Sequence, residues 1–197
     1  MNTAIILAHP NPSSFCAAVA GACQAAIEGA GGSVVLRDLY GMDFDPRLKR
    51  AELPTEKGWT MGDDVTAERA LLAGVDHFLL VYPFWFNAPP AILKGYVDRV
   101  FSMGFGYQPG PRGADPLLVG KTLMSVSTSG APDHWVDSTG ALTALMTVFD
   151  LHLAKVTGLR VLGHEHLGGV VASMRQDAVD DLLARARGAV LAAQSDL

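Results

Sequence analysis

The residues with the most unusual chemistry sit in three short loops. After the apolar run 75–82 comes Pro83-Phe84-Trp85-Phe86-Asn87, three large aromatics in a row at a strand's end. Such a loop offers flat apolar surface, with Asn87 as a polar handle, to a planar ligand or equally to another protein, because aromatics dominate interfaces too. Near the N-terminus His9-Pro10-Asn11-Pro12-Ser13-Ser14-Phe15 leads into a helix start. Free backbone N–H groups, the positive end of the helix dipole and the Ser13 and Ser14 hydroxyls suit a phosphate monoester or pyrophosphate. Taken alone, this loop is also what an ordinary capped helix looks like. The third, Ser127-Thr128-Ser129-Gly130-Ala131, is small and hydroxyl-rich. Its backbone can approach a ligand closely and present N–H donors to a carbonyl or a developing negative charge, or it is a plain strand-to-helix turn.

The elements between the loops decide whether they meet. Residues 3–8 read as a short buried strand stopped by His9-Pro10. Ser14 is placed to N-cap a helix running to about residue 29, and Gly31-Gly32 turns the chain into a second strand at 33–39. Residues 40–62, with Pro46 and Pro54, read as a long loop with room for one helical turn. A loop of that length usually covers a site or a partner. Helices are expected at 64–73, 90–103 and 139–156, and strands at 75–82, 121–127 and, more weakly, 159–163. Residues 104–119 read as Gly- and Pro-rich loop. Ser173 and Gln176 have capping-box spacing ahead of a last helix with Val179, Leu182, Leu183, Ala186 and Val190 as its buried stripe.

Five strands alternating with five helices describe one domain over residues 1–197, a parallel sheet with helices on both faces. The common order is the flavodoxin-like 2-1-3-4-5, which brings the segments after strands one, three and four into one crevice at the strands' carboxyl ends. Those segments are the three loops. Together they suit a ligand with a phosphate at one end and a large planar polar ring at the other: flavin mononucleotide (FMN) or flavin-adenine dinucleotide (FAD).

Composition removes several alternatives. Hydrophobic residues make up 49% and charged residues 18% of the 197, enough to bury a full core, and a formal net charge of -5 lacks the basic stripe of a nucleic-acid groove. No apolar run reaches membrane-spanning length and the N-terminus carries no positive charge before its short apolar run, so a cytoplasmic protein without membrane insertion is expected. Cys16 and Cys23 stand seven apart in a helix, about 10 Å of rise, beyond disulfide reach. GxGxxG, the Walker loop and GxSxG are absent. His164 and His166 could share a metal, but two histidines are an incomplete site and Gly168 stands where an HExxH motif would place its second histidine. No metal is expected.

Pro90-Ala91-Ile92-Leu93-Lys94-Gly95 with Asp98-Arg99-Val100-Phe101 resembles the NAD(P)H:quinone oxidoreductases of the DT-diaphorase type. So do Ala8-His9 with Ser14-Phe15, Asp38-Leu39-Tyr40 with Phe44-Asp45-Pro46, and Ser125-Val126-Ser127-Thr128. The likeness runs to about residue 135, and the chain resembles the shorter bacterial-type members. It implies a flavodoxin-like homodimer that passes a hydride from NAD(P)H to bound flavin and then to a quinone in a ping-pong cycle. By position, His9, Ser14, Phe15 and Cys16 would hold the ribityl-phosphate or pyrophosphate. Pro83, Phe84, Trp85, Phe86 and Asn87 would line the ring, and Ser127, Thr128, Ser129 and Gly130 its polar edge. Where the family has a tyrosine beside the flavin this chain has Trp135, and the family's later histidine falls on Ala141, leaving His134 or backbone amides to meet charge on the ring. Phe105 and Tyr107 are candidates for the quinone pocket's wall or for packing against a partner subunit. Two other readings share the resemblance: a redox-sensing regulatory subunit of a membrane transporter such as a potassium efflux system, and a one-electron carrier.

Overall fold

A computed structural model describes residues 2–111 and 113–195. Its frame follows from uninterrupted apolar runs, which make strands that need cover on both faces. In chain order come β1 (Asn2–Leu7), α1 (Phe15–Gly29), β2 (Ser33–Asp38), a single 3-10 turn (Arg50–Glu52), α2 (Asp63–Leu72), β3 (His77–Pro83) and α3 (Ala91–Val100). A short hairpin of β4 (Tyr107–Gly110) and β5 (Gly113–Pro116) precedes β6 (Thr122–Thr128) and α4 (Asp133–Ser138). Then α5 (Ala141–Leu145), a π-helical segment (Met146–Leu151) and α6 (His152–Thr157) follow without a break, and β7 (Arg160–Leu167) and α7 (Gln176–Ser195) close the chain.

The main sheet is parallel in the order β2-β1-β3-β6-β7, which is 2-1-3-4-5 once the hairpin is set aside. One face packs Phe78, Leu80 and Tyr82 under Leu93, Tyr96 and Phe149, and the other packs Ile5, Leu79 and Val81 under Val19, Ile27 and Val190. Each such fully buried aliphatic side chain contributes about 1.5–3 kcal/mol. The central strands β3 and β6 are buried at every residue.

Several details differ from the expectation. The stretch 104–119 holds a two-stranded hairpin, which the Gly and Pro content concealed. The last helix begins at Gln176, whose side chain donates to Asp180 Oδ1 at 2.9 Å instead of reaching back to Ser173, so the capping box does not form. The fifth strand extends to Leu167, past the expected 163.

The long loop 40–62 is fastened to α3. Arg99, fully buried, donates to both Glu52 oxygens at 2.9 and 2.5 Å, to both Asp64 oxygens at 2.9 and 2.6 Å and to the Asp45 carbonyl at 2.6 Å. Phe44 lies edge-on to Tyr96 at 5.2 Å and under the Arg99 guanidinium at 5.3 Å. A Cβ on Gly95 would stand 2.2 Å from the Pro46 carbonyl oxygen, so only glycine lets the loop close on the helix here. The motifs FDP and PAILKG therefore owe their residue types to each other.

Candidate functional site

The strand order brings the three loops together. His9, Phe15 and Cys16 from the first, Pro83, Phe84 and Trp85 from the second, and Thr128, Ser129 and Gly130 from the third line one cavity of about 180 Å³, with Val170 beside them. It opens at the carboxyl ends of β1, β3 and β6, where the strand order reverses.

The first loop is built to start a helix. Ser13 N–H donates to Asn11 Oδ1 at 2.9 Å, and Ser14 caps α1 by accepting the Ala17 N–H at 3.2 Å. The amides of Phe15 and Cys16 are left without a helical acceptor and point out of the helix start. His9 Nδ1 accepts the Asn11 N–H at 3.0 Å, so a neutral His9 carries its proton on Nε2. Its ring lies 5.7 Å from that of Trp85. The buried Cys16 thiol meets Thr128 Oγ1 at 3.1 Å, and burial pushes it up to about 11, which makes it a poor nucleophile at neutral pH.

The second loop is a tight reversal. Trp85 and Ala88 exchange N–H···O=C bonds at 3.1 and 3.0 Å, with Phe86 and Asn87 between them at φ 48° and 58°. Two left-handed residues form a turn that normally prefers asparagine and glycine, so Phe86 sits there at a conformational cost. Its side chain is fully exposed. The three aromatics thus divide: Phe84 is buried edge-on to His166 at 5.4 Å, Trp85 is half-exposed at the cavity wall, and Phe86 and Asn87 stand at the tip, outside the cavity.

The third loop is zipped to the end of β7. Ser129 N–H donates to the Leu167 carbonyl, Val170 N–H to the Ser129 carbonyl and Gly169 N–H to the Ala131 carbonyl. Gly168 N–H donates to Asp133 Oδ1 at 2.6 Å, and a Cβ there would meet that oxygen at 2.4 Å. Arg185 of α7 braces the turn through Asp133, Glu165 and the His166 carbonyl. Gly130 lines the cavity rim, where a Cβ would stand in ordinary contact, 3.6 Å, with the Val170 carbonyl oxygen.

Beneath this loop lies a buried polar chain. Ser129 Oγ meets His166 Nε2 at 2.9 Å and donates to the Ala131 carbonyl at 2.8 Å. His166 Nδ1 and His164 Nε2 approach Ser127 Oγ at 2.8 and 2.7 Å. His164 Nδ1 lies 2.6 Å from Asp150 Oδ2, and Ser125 donates to Asp150 Oδ1 at 2.8 Å. All four imidazole nitrogens have a partner. A bulge in β7 makes the chain possible: Leu123 pairs with Val161 but Met124 with Gly163, so Leu162 is the extra residue. An added residue reverses which face later side chains occupy, and His164 and His166 thereby register beside Ser125 and Ser127. Asp150 arrives from the π-helical segment, a widened turn often found at functional positions.

The remaining sequence candidates lie elsewhere. Ser127 is buried inside the chain just described. Trp135 and His134 are exposed on α4 and line no part of the cavity. Phe105 packs against Phe101 at 5.8 Å under the Arg69 guanidinium. Tyr107 lines a second cavity of about 350 Å³, with Lys94 and Phe101 on one side and Phe149 and His152 on the other, which shares no residue with the first. Asp150 carried no signal in sequence, since its partners come from two strands; the alternation of His164 and His166 was the only visible trace.

Among the described residues no helix is long and apolar enough to cross a membrane. The chain is 39% identical over 132 residues, 66% of its length, to an uncharacterized NAD(P)H oxidoreductase of Haemophilus influenzae, and 31% identical over 145 residues, 64% of its length, to NAD(P)H dehydrogenase [quinone] 1 of Rattus norvegicus. These matches span 65% and 53% of the two relatives. Among solved structures it is similar to the NAD(P)H:quinone oxidoreductase of Methanothermobacter marburgensis, with a TM-score of 0.82 and 26% identity over 96% of this chain and 95% of that one. Residues 1–190 match the family defined by the flavodoxin-like fold, and the chain belongs to that family.

Proposed function

We propose that the protein is a flavin-dependent NAD(P)H:quinone oxidoreductase that holds FMN, or FAD, in the cavity between the three loops. The observation that carries this reading is the convergence, in one cavity at the sheet's reversal point, of helix-start amides that have no helical acceptor, an aromatic wall and a hydroxyl-lined turn. These groups fit the cofactor's parts. The Phe15 and Cys16 amides and the positive end of α1 suit a phosphate. Trp85 presents a flat face beside His9, and the rim at Gly130 lets a ring edge approach backbone. The names of the relatives support the same activity.

A bound flavin would supply the hydride-accepting and hydride-donating chemistry. The chain's own residues position it: Ser14 orders the first turn, Asp133 and Gly168 hold the third loop, and Phe84 closes the floor against water. The enclosed volume takes only part of so large a ligand. The exposed Trp85 and Phe86 leave a face on which a nicotinamide and then a quinone can stack by turns, and on which a second copy of the chain can complete the wall.

Anaerobic titration of the purified protein with NADPH or NADH, followed by absorbance, tests this reading. The expected result is a yellow protein that bleaches directly and recovers its colour when benzoquinone is added. Failure to bind FMN or FAD after reconstitution would overturn the proposal. Flavin that binds and is reduced by neither nicotinamide would remove the reductase activity from it.

A further inference from the structure

The buried chain from Asp150 to Ser129 fixes its own proton positions. The Ala131 carbonyl can only accept, so the Ser129 hydroxyl spends its hydrogen there at 2.8 Å. Ser129 Oγ must then accept from His166, which places a proton on His166 Nε2. With His166 neutral, its Nδ1 is an acceptor, and Ser127 gives its hydrogen to it. Ser127 Oγ must therefore accept from His164 Nε2. A neutral His164 would then turn a bare Nδ1 toward the Asp150 carboxylate at 2.6 Å, two acceptors facing each other. A proton has to lie between them. The alternative is a buried carboxylate with Ser125 donating to its Oδ1 and a bare acceptor facing its Oδ2, which a site this dry does not tolerate.

The geometry points to a stored proton: His164 and Asp150 together hold one proton more than a neutral imidazole beside a free carboxylate, and Ser127 passes it to His166 when negative charge develops in the cavity. The transfer balances without solvent. The His164 Nε2–H bond breaks as Ser127 Oγ takes that proton, and the former Ser127 O–H bond breaks as its hydrogen goes to His166 Nδ1. Afterwards His164 is neutral with its Nδ1–H on Asp150, Ser127 points its hydrogen at His164 Nε2, and His166 is an imidazolium against Ser129. Positive charge has moved from His164 to His166, directly behind the cavity-lining Ser129, and no proton has entered or left.

The surroundings favour the inner position at rest. Burial holds His166 below its ordinary value, and the nearby Arg185 and His164 act in the same sense against Asp133 and Asp137. From β3, Tyr82 stands edge-on to His164 at 6.1 Å, and burial together with the Asp150 charge keeps its phenol well above its ordinary value and so protonated. Glu165, next in sequence to both histidines, is already paired with Arg185. The chain makes Ser127, His164, His166 and Asp150 positioning residues for charge in the cavity. Its response to the ligand rests on the flavin reading, whereas the proton count is a property of the ligand-free protein.

Long-range ¹⁵N NMR of the histidine rings in the labelled full-length protein tests both parts. At neutral pH, without ligand, both His164 nitrogens should show protonated shifts and His166 a bare Nδ1; a bare His164 Nε2, or a bare Nδ1 beside an Asp150 carboxyl whose ¹³C shift is that of the ionised form, would overturn the stored proton. Asp150→Asn, whose amide can donate to Nδ1, should return His164 to a neutral ring. With FMN bound and then reduced anaerobically by dithionite, the His166 Nδ1 signal should move to its protonated position, in Ser127→Ala it should not, and Ser127→Thr should restore the shift. An unresponsive His166 in the unmodified protein, or the same response in Ser127→Ala, would overturn the relay. Failure to bind FMN would overturn the cofactor reading instead, and the His164 spectrum would still decide the proton count.

Discussion

Two buried polar regions of this protein are built on opposite principles. Around Arg99 the charges are permanent: a guanidinium that does not deprotonate is gripped by Glu52 and Asp64 and by the Asp45 carbonyl, and nothing in the cluster can move without breaking. Along Asp150, His164, Ser127 and His166 every link is a group that can both give and take a hydrogen, apart from the carboxylate at its inner end. The first region closes a loop onto a helix and ends there. The second ends at the cavity through Ser129. Fixed charge serves architecture; exchangeable hydrogens leave room for a response.

The largest effect should come from breaking the fixed region. Arg99→Leu strands the buried Glu52 beside Asp64 and should cost about 3–5 kcal/mol of stability, read by urea denaturation. The same hydrogen bonds hold both carboxyls below their ordinary values of 4.5 and 3.8. Their contribution is therefore present above those values and is lost as pH falls below them, an acid limb that Arg99→Leu should remove.

A third buried histidine sharpens the contrast. His77 touches Thr122 Oγ1 at 2.8 Å, but its buried Nε2 has no hydrogen-bond partner among the described residues. Burial alone pushes it down to about 4 from 6.5. The unfolded chain takes up this proton below 6.5 while the folded protein refuses it until about 4, so stability should fall by about 3 kcal/mol across that window. Denaturation at pH 7 and pH 4 would check this, with His77→Gln flattening the slope. A loss confined to pH below 4 would place the acid sensitivity in the Arg99 cluster instead.

The smallest effect is expected at the open end of the movable chain. Ser129→Ala removes the acceptor of His166 Nε2–H, but water can enter from the cavity to replace it, so the cost should be about 1 kcal/mol. A loss as large as that of Arg99→Leu would mean the chain is as closed as the ion-pair cluster, and the comparison would fail.

Much of this molecule was legible in sequence because its central strands are short β-type runs that are buried along their whole length. Runs such as 77–83 and 122–128 need cover on both faces, and in an alternating α/β pattern that dictates a parallel sheet. Ser14 was readable as a cap because capping is local chemistry. The convergence of His9, Phe84 and Ser129 followed from strand order alone. Ser173 misled for the complementary reason: spacing permits a capping box that would start the helix at residue 174, but the helix begins two residues later, at Gln176, whose side chain bonds Asp180.

By itself, the amino-acid order determined the five strands of the main sheet, through burial patterns only a few residues long, and their alternation with helices pointed to the common strand order and so to the loops that must meet at its carboxyl edge. The tertiary structure decided which of those residues face the cavity and which chemistry lies under it. One extra residue in β7, Leu162, reverses the faces of His164 and His166 and sets them against Ser127, and a π turn carries Asp150 to the same place. Both depend on strand registration across the sheet, a relation between distant segments that no local pattern encodes.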